Sequence, residues 1–111
     1  MNSPAGIDVD PSGNLYVADD GNNPIQKFTN NGDFVTMWGS KGSKNGQLDR
    51  PHDIAVDSSG NNVYVAEQDN FQIQKFAADG KFITKWVLKM QMTINFKISI
   101  VLLSISYSLM Y

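Results

Sequence analysis

Residues 4–38 return, nearly phrase for phrase, as residues 51–86. Pro4, Ile7, Val9, Asp10, Ser12, Gly13 and Asn14 reappear as Pro51, Ile54, Val56, Asp57, Ser59, Gly60 and Asn61, and Tyr16, Val17 and Ala18 as Tyr64, Val65 and Ala66. More than half of the aligned positions are identical once a single extra asparagine, Asn61 or Asn62, is allowed. The offset is 47 residues before that insertion and 48 after it, in the period range of blade-like repeat units. A unit this short cannot bury its hydrophobic faces alone, so the duplication constrains the chain to an architecture in which units stack on one another.

Within each copy the local grammar is that of short strands. Residues 7–10 and 54–57 alternate as a first strand, and Asp10-Pro11-Ser12-Gly13 and Asp57-Ser58-Ser59-Gly60 suit tight turns. Pro presets one backbone angle there, Asp and Ser bond locally, and Gly tolerates a positive φ. Residues 15–18 and 63–66, rich in Tyr and Val, read as a second strand. Ile25-Gln26-Lys27-Phe28, repeated unchanged at 73–76, is the third, and residues 34–38 and 82–86 are the fourth. Asn31-Gly32 and Asp79-Gly80 are strong hairpin signals between the third and fourth strands. The expectation is all-β: two four-stranded antiparallel meanders stacked as propeller blades.

Composition sets the remaining bounds. A chain of 111 residues with 41% hydrophobic content has room for one ordinary domain. The net charge of −2 and pI of about 5.1 argue against nucleic acid as partner, because phosphate neutralisation needs a surplus of Lys and Arg on one face. There is no cysteine, which excludes a disulfide framework and thiolate-bound zinc and leaves the compartment open. Met1-Asn2-Ser3-Pro4 lacks a basic stretch followed by an apolar one, so no signal peptide is expected ahead of the first repeat.

Punctuation stops abruptly after Trp86: every Gly, every Pro and every acidic residue precedes it, and only Lys89 and Lys97 carry charge beyond it. The expected organisation is a first blade at 1–38, a Gly-rich polar linker at 39–50 with Leu48 as its one apolar anchor, a second blade at 51–86, and an atypical apolar tail at 87–111. Residues 93–100 and 103–109 alternate apolar and polar, as a half-buried strand pair would. The preferred reading is nonetheless a truncation that replaced the next blade with unrelated sequence. A membrane-spanning helix needs about 20 apolar residues, and Asn95, Lys97 and the serines interrupt that window, so no membrane partner is expected. An exposed segment of this kind is an aggregation hazard.

The ordered motifs, Pro-x-x-Ile-x-Val-Asp-x-Ser-Gly-Asn, then Tyr-Val-Ala-Asp/Glu-x-x-Asn, then Ile-Gln-Lys-Phe, then Gly-x-Phe-x-x-x-Trp, occur twice across residues 4–86 and resemble the NHL repeat. That resemblance implies a six-bladed β-propeller, of which two blades are present. It also implies two candidate functions. The first is a protein-interaction scaffold with no intrinsic catalysis, whose partner would meet loops carrying Asp19, Asp20, Asn22, Arg50, His52, Asp53, Glu67 and Asn70. The second follows from Pro51-His52-Asp53-Ile54, which resembles the Pro-His-x-Ile/Leu motif of the zinc-dependent peptidyl-hydroxyglycine amidating lyases and makes His52 a candidate zinc ligand. A catalytic zinc usually has three protein ligands, however, and the matched position in the first copy is Ala5. Recognition of RNA, as in tripartite-motif NHL proteins, is disfavoured by the acidic balance.

Other residues read more plainly. Asp8, Asp10, Ser12, Gly13 and Asp19 mimic the oxygen-donor spacing of a calcium loop, but the second copy has Ala55 at the first position and an inserted residue, so a hairpin turn is expected. Asp19, Asp20 and Glu67 are expected as solvated loop acids, with no base or nucleophile spaced to form a catalytic set. Trp38, Trp86, Phe28 and Phe76 are expected in blade packing, and Lys27 and Lys75 in a structural place on the outer half of each blade. With no cofactor required, the partner expected is a protein, with self-association to complete a ring as a further route.

Overall fold

The computed structural model describes residues 4–19, 24–67 and 72–87. The expected tail beyond residue 87, and Asp20, Asn22 and Asn70, lie outside the described residues. Eight strands run in chain order: β1 (Pro4–Val9), β2 (Leu15–Asp19), β3 (Ile25–Phe28), β4 (Phe34–Trp38), β5 (Pro51–Val56), β6 (Asn62–Glu67), β7 (Gln72–Ala77) and β8 (Phe82–Val87). They form two antiparallel meanders, β1-β2-β3-β4 and β5-β6-β7-β8, as the repeat predicts. The strands β3 and β4 have the expected bounds. The inner strands start earlier than expected, at Pro4 and Pro51, each followed by an irregularity in register. Proline fits there because a strand at the edge of a sheet has ladder positions that need no N–H donor.

Each first turn is organised by its aspartate. The Asp10 Oδ1 atom accepts hydrogen bonds from the backbone N–H groups of Ser12 and Asn14, both at 2.9 Å, and Oδ2 accepts from the Asn14 amide at 3.1 Å. In the second copy Asp57 accepts from the Ser59 hydroxyl at 2.7 Å and the Asn62 amide at 2.7 Å. Asn62 therefore takes the part of Asn14, and the inserted residue is Asn61, exposed in the turn. Its carbonyl accepts a hydrogen bond from Ala78 N–H at 3.1 Å, so the insertion is absorbed without disturbing register.

The register pairs assign the faces. Ile7, Val17, Gln26 and Met37 stand opposite one another across the first sheet, as do Val9, Leu15, Phe28 and Phe34. The other face carries Tyr16, Ala18, Ile25, Lys27 and Trp38, and this is the face that packs on the second sheet. There, Tyr16, Ala18 and Ile25 join Ile54, Val63, Val65 and Phe76, with Leu48 of the linker between them, all fully buried. Trp38 seals the outer end, its ring centroid 6.4 Å from that of Tyr16 and 5.8 Å from that of Phe76. Trp38 and Phe76 thus pack the two sheets together, while Phe28 meets Phe34 edge to face and Trp86 stacks on Tyr64, each within its own sheet. Lys27 and Lys75 lie over the rings of Tyr16 and Tyr64, at 5.0 and 5.8 Å from the centroids, and Lys27 Nζ also donates to Ala78 O at 3.3 Å, bridging the two sheets.

The inner strands are pinned directly. Asp8 Oδ2 accepts the backbone N–H of Val56 at 2.8 Å. Gly6 lies so close to β5 that a Cβ there would fall 2.8 Å from Asp53 Oδ1 and 3.2 Å from the Asp53 Cα. Absence of a side chain at Gly6 is what lets β1 and β5 approach.

Candidate functional site

The linker between the sheets returns to β5 at the point where the sequence places Arg50, His52 and Asp53. Its path is set by Leu48, which is fully buried and sits against Gly39, where a Cβ would lie 2.5 Å from Leu48 Cδ1. Gly39 has φ 83°, a conformation natural to glycine. Leu48 N–H donates to Ser40 O at 3.0 Å, and Gly42 N–H to Leu48 O at 3.1 Å, folding the linker back on itself.

Two buried polar side chains then hold the returning segment. Glu67, at the end of β6, is fully buried. Its Oε1 accepts the Asp49 backbone N–H at 3.0 Å, and its Oε2 accepts the side-chain amides of Gln72 at 2.7 Å and Gln74 at 2.8 Å. Gln74, also fully buried, donates to Gln47 O at 2.6 Å and accepts Gly46 N–H at 2.9 Å. Backbone polar groups that would otherwise be orphaned beneath the linker are satisfied in this way. The expectation that Asp19 and Glu67 are solvated loop acids is corrected: both are strand residues, 2% and 0% exposed, because β2 and β6 extend one residue further than predicted and pair with Pro4 and Pro51.

Arg50 follows the clamped Asp49. It is exposed and has φ 53°, the left-handed region that non-glycine residues seldom occupy. Asp53 is half-buried, with Oδ1 accepting Ile54 N–H at 2.8 Å. His52 lies in β5 at the register irregularity between Pro51 and Asp53; its side chain lies outside what is described. Among the expected partner-facing residues the structure therefore brings Arg50, Asp53 and Glu67 to one end of the second sheet, with Glu67 as the internal support. Among the described residues no group of three or more His, Cys, Asp or Glu side chains is placed to hold a metal ion.

Asp10 takes the role expected of a turn residue. Burial pushes its carboxyl up, but hydrogen bonds from Asn14, Ser12 and Tyr16 outweigh this and leave it below the usual carboxylate value. Asp57 is likewise lowered: burial opposes, and bonds from Ser59, Asn62 and Asn61 prevail.

The residues missed by sequence reasoning are Gln47, Gln72 and Gln74. One signal was available, since Gln26 and Gln74 recur inside an otherwise apolar-ended motif, and a duplicated amide in a strand bounded by Ile and Phe points to a buried hydrogen-bonding task.

Solved structures share this arrangement. A Bacteroides fragilis protein described as exported matches with a TM-score of 0.70 and 22% identity over 85% of this chain and 27% of its own. Virginiamycin B lyase from Staphylococcus aureus matches with a TM-score of 0.60 and 18% identity, covering 80% of this chain and 28% of that one. A Bacteroides caccae protein of unknown function matches at 0.55 and 18% identity, covering 79% and 32%. The chain thus spans about a third or less of the length of these proteins, and the likeness is one of fold. No curated protein matches it. The family model for the NHL repeat matches residues 1–28 and 48–76, the two segments that carry the first three strands of each sheet, and the chain belongs to the NHL-repeat family.

Proposed function

We propose that this two-blade portion of a β-propeller serves as a protein-interaction scaffold and carries no chemistry of its own. The observation that supports this reading most directly is the clamp beneath Arg50. Glu67 holds the Asp49 N–H at 3.0 Å, and the next residue stands exposed on a backbone set at φ 53°. A loop held in one conformation by a rigid sheet binds without a large ordering penalty. The exposed polar segment around Arg50 suits a polar loop of a partner protein.

The experiment uses the full chain. Proteins retained by the parent are compared with those retained by Arg50→Asn, a substitution that removes the charge while tolerating the left-handed backbone, and direct binding is then measured with the purified partner. The expected result is a partner whose binding weakens at least tenfold in Arg50→Asn. Equal binding by both proteins overturns the reading. Zinc content is measured alongside: one zinc per chain, lost in His52→Ala, would replace the scaffold reading with the lyase-like one.

A further inference from the structure

The dipeptide Asn-Gly occurs as Asn31-Gly32 and as Asn45-Gly46, each with an exposed asparagine. In such a pair the glycine nitrogen can attack the asparagine's own side-chain carbonyl carbon, and the missing Cβ leaves that approach open. The two sites differ in what holds the nitrogen. Gly32 N–H donates to Thr29 O at 2.9 Å at the tip of the β3–β4 hairpin. Asn30, Asn31, Gly32 and Asp33 are all exposed there, and a Cβ at Gly32 would meet nothing within 4 Å. Gly46 N–H instead donates at 2.9 Å to Oε1 of Gln74, a side chain that is 0% exposed. The amide nitrogen of Gln74 is committed to Gln47 O and Glu67 Oε2, so its oxygen cannot turn to another donor without breaking both bonds.

We infer that Asn31 is a site of spontaneous deamidation to aspartate and isoaspartate, and that the Gln74 clamp protects Asn45 from the same reaction. A solvent base removes the glycine N–H proton, the nitrogen bonds to the asparagine Cγ, and the Cγ–Nδ2 bond breaks. The departing nitrogen takes a proton from water and leaves as ammonia. Water then opens the cyclic imide at either carbonyl, giving aspartate or an isoaspartate whose backbone runs through the former side chain. The reaction requires the glycine N–H bond to be given up. At Gly32 this frees Thr29 O in an exposed turn, where water replaces the lost donor. At Gly46 it orphans a buried amide oxygen, which carries the full desolvation penalty. The second copy bears on the product, because Asp79 occupies the place of Asn31 and accepts the Lys81 N–H at 3.1 Å, so an ordinary aspartate fits this turn. Isoaspartate does not. It adds an atom to the short backbone loop that Thr29 N–H closes by donating to Asp33 O at 2.8 Å, and the end of the β3–β4 ladder opens.

The full chain is incubated at mildly alkaline pH, and peptide mapping by mass spectrometry follows aspartate and isoaspartate at both positions. Asn31 is expected to convert faster than Asn45 by roughly tenfold or more, the rate ratio that corresponds to one orphaned buried acceptor. In concentrated urea the two rates should converge, because both sites then present the same dipeptide without a fold. Gln74→Met removes the acceptor at similar length and should raise the rate at Asn45 while leaving Asn31 as in the parent. Hydrogen exchange of the unaltered chain gives a reading that needs no variant: the Gly46 amide should be more protected than the Gly32 amide. Equal rates at Asn31 and Asn45 in the folded chain, a rate difference that persists in urea, or equal protection of the two glycine amides would each overturn the inference.

Discussion

Replacing Glu67 by Gln isolates the polar clamp with almost no change of volume. In the native arrangement both carboxylate oxygens accept hydrogen bonds, Oε1 from the Asp49 N–H and Oε2 from the amides of Gln72 and Gln74. A glutamine in the same place offers one acceptor oxygen and one NH2 group. With the oxygen toward the glutamines, the NH2 faces the Asp49 N–H and that bond is lost. With the oxygen toward Asp49, two bonds are lost. Flipping Gln74 to restore an acceptor would break its bond from Gly46 N–H at 2.9 Å. The least damaging choice removes one hydrogen bond to a charged group, about 1.5–3 kcal/mol, and leaves a buried donor unsatisfied; relief from burying a charge returns part of this. A net destabilisation of about 2 kcal/mol follows, or roughly 8–16 °C in Tm for a domain of this size. Urea denaturation measures the total, and hydrogen exchange at the Asp49 and Gly46 amides locates it, with loss of protection expected there first. Unchanged stability together with unchanged exchange at both amides would refute the clamp.

Three further outcomes are expected. Leu48→Ala, at a fully buried position between the sheets, should destabilise by about 3–5 kcal/mol, while Leu48→Met should stay under about 1.5 kcal/mol; equal urea midpoints for the two would show that the linker does not anchor the sheets. Gly32 and Gly80 hold matched turn positions at φ 87° and 96°, but a Cβ meets nothing within 4 Å at Gly32 and lies 2.7 Å from the Trp38 ring at Gly80. Gly32→Ala should therefore lose only the left-handed penalty of about 1–2 kcal/mol, and Gly80→Ala should lose roughly 1–3 kcal/mol more through overpacking, read as a difference in denaturation midpoints. Acid should weaken the fold through Asp10 and Asp57. Both carboxyls lie below their usual value in the folded state, so their contribution is complete above the unfolded value and is lost as pH falls through the folded one, from about pH 5 downward. The Asp10→Asn, Asp57→Asn double variant should show a flatter stability profile over that range, and an unchanged slope would count against these turns as the source.

Much of the architecture is legible in the chain because it rests on local chemistry. The turns at Asp10 and Asp57, the Asn-Gly and Asp-Gly hairpins, and the alternation in β3 and β4 are each set by residues that act on their own neighbours. The early starts of β1 and β5 were not legible, since Pro4 and Pro51 signal breaks unless the strand is known to lie at a sheet edge. Nor was the clamp: Glu67 and Gln74 are separated from Asp49 and Gly46 by 18 and 28 residues, and an acid at a strand end reads as solvated until a linker is seen lying over it.

The limit of the sequence shows in one pair of residues. Ile7 and Ile54 occupy the same place in the same repeat, and the chain by itself determined that both would be strand residues with side chains on the same face of a four-stranded sheet. One is 49% exposed and the other 0%. Only the tertiary structure decided that difference, because pairing and turn formation depend on the residues within a unit, whereas burial depends on which other unit comes to rest against it.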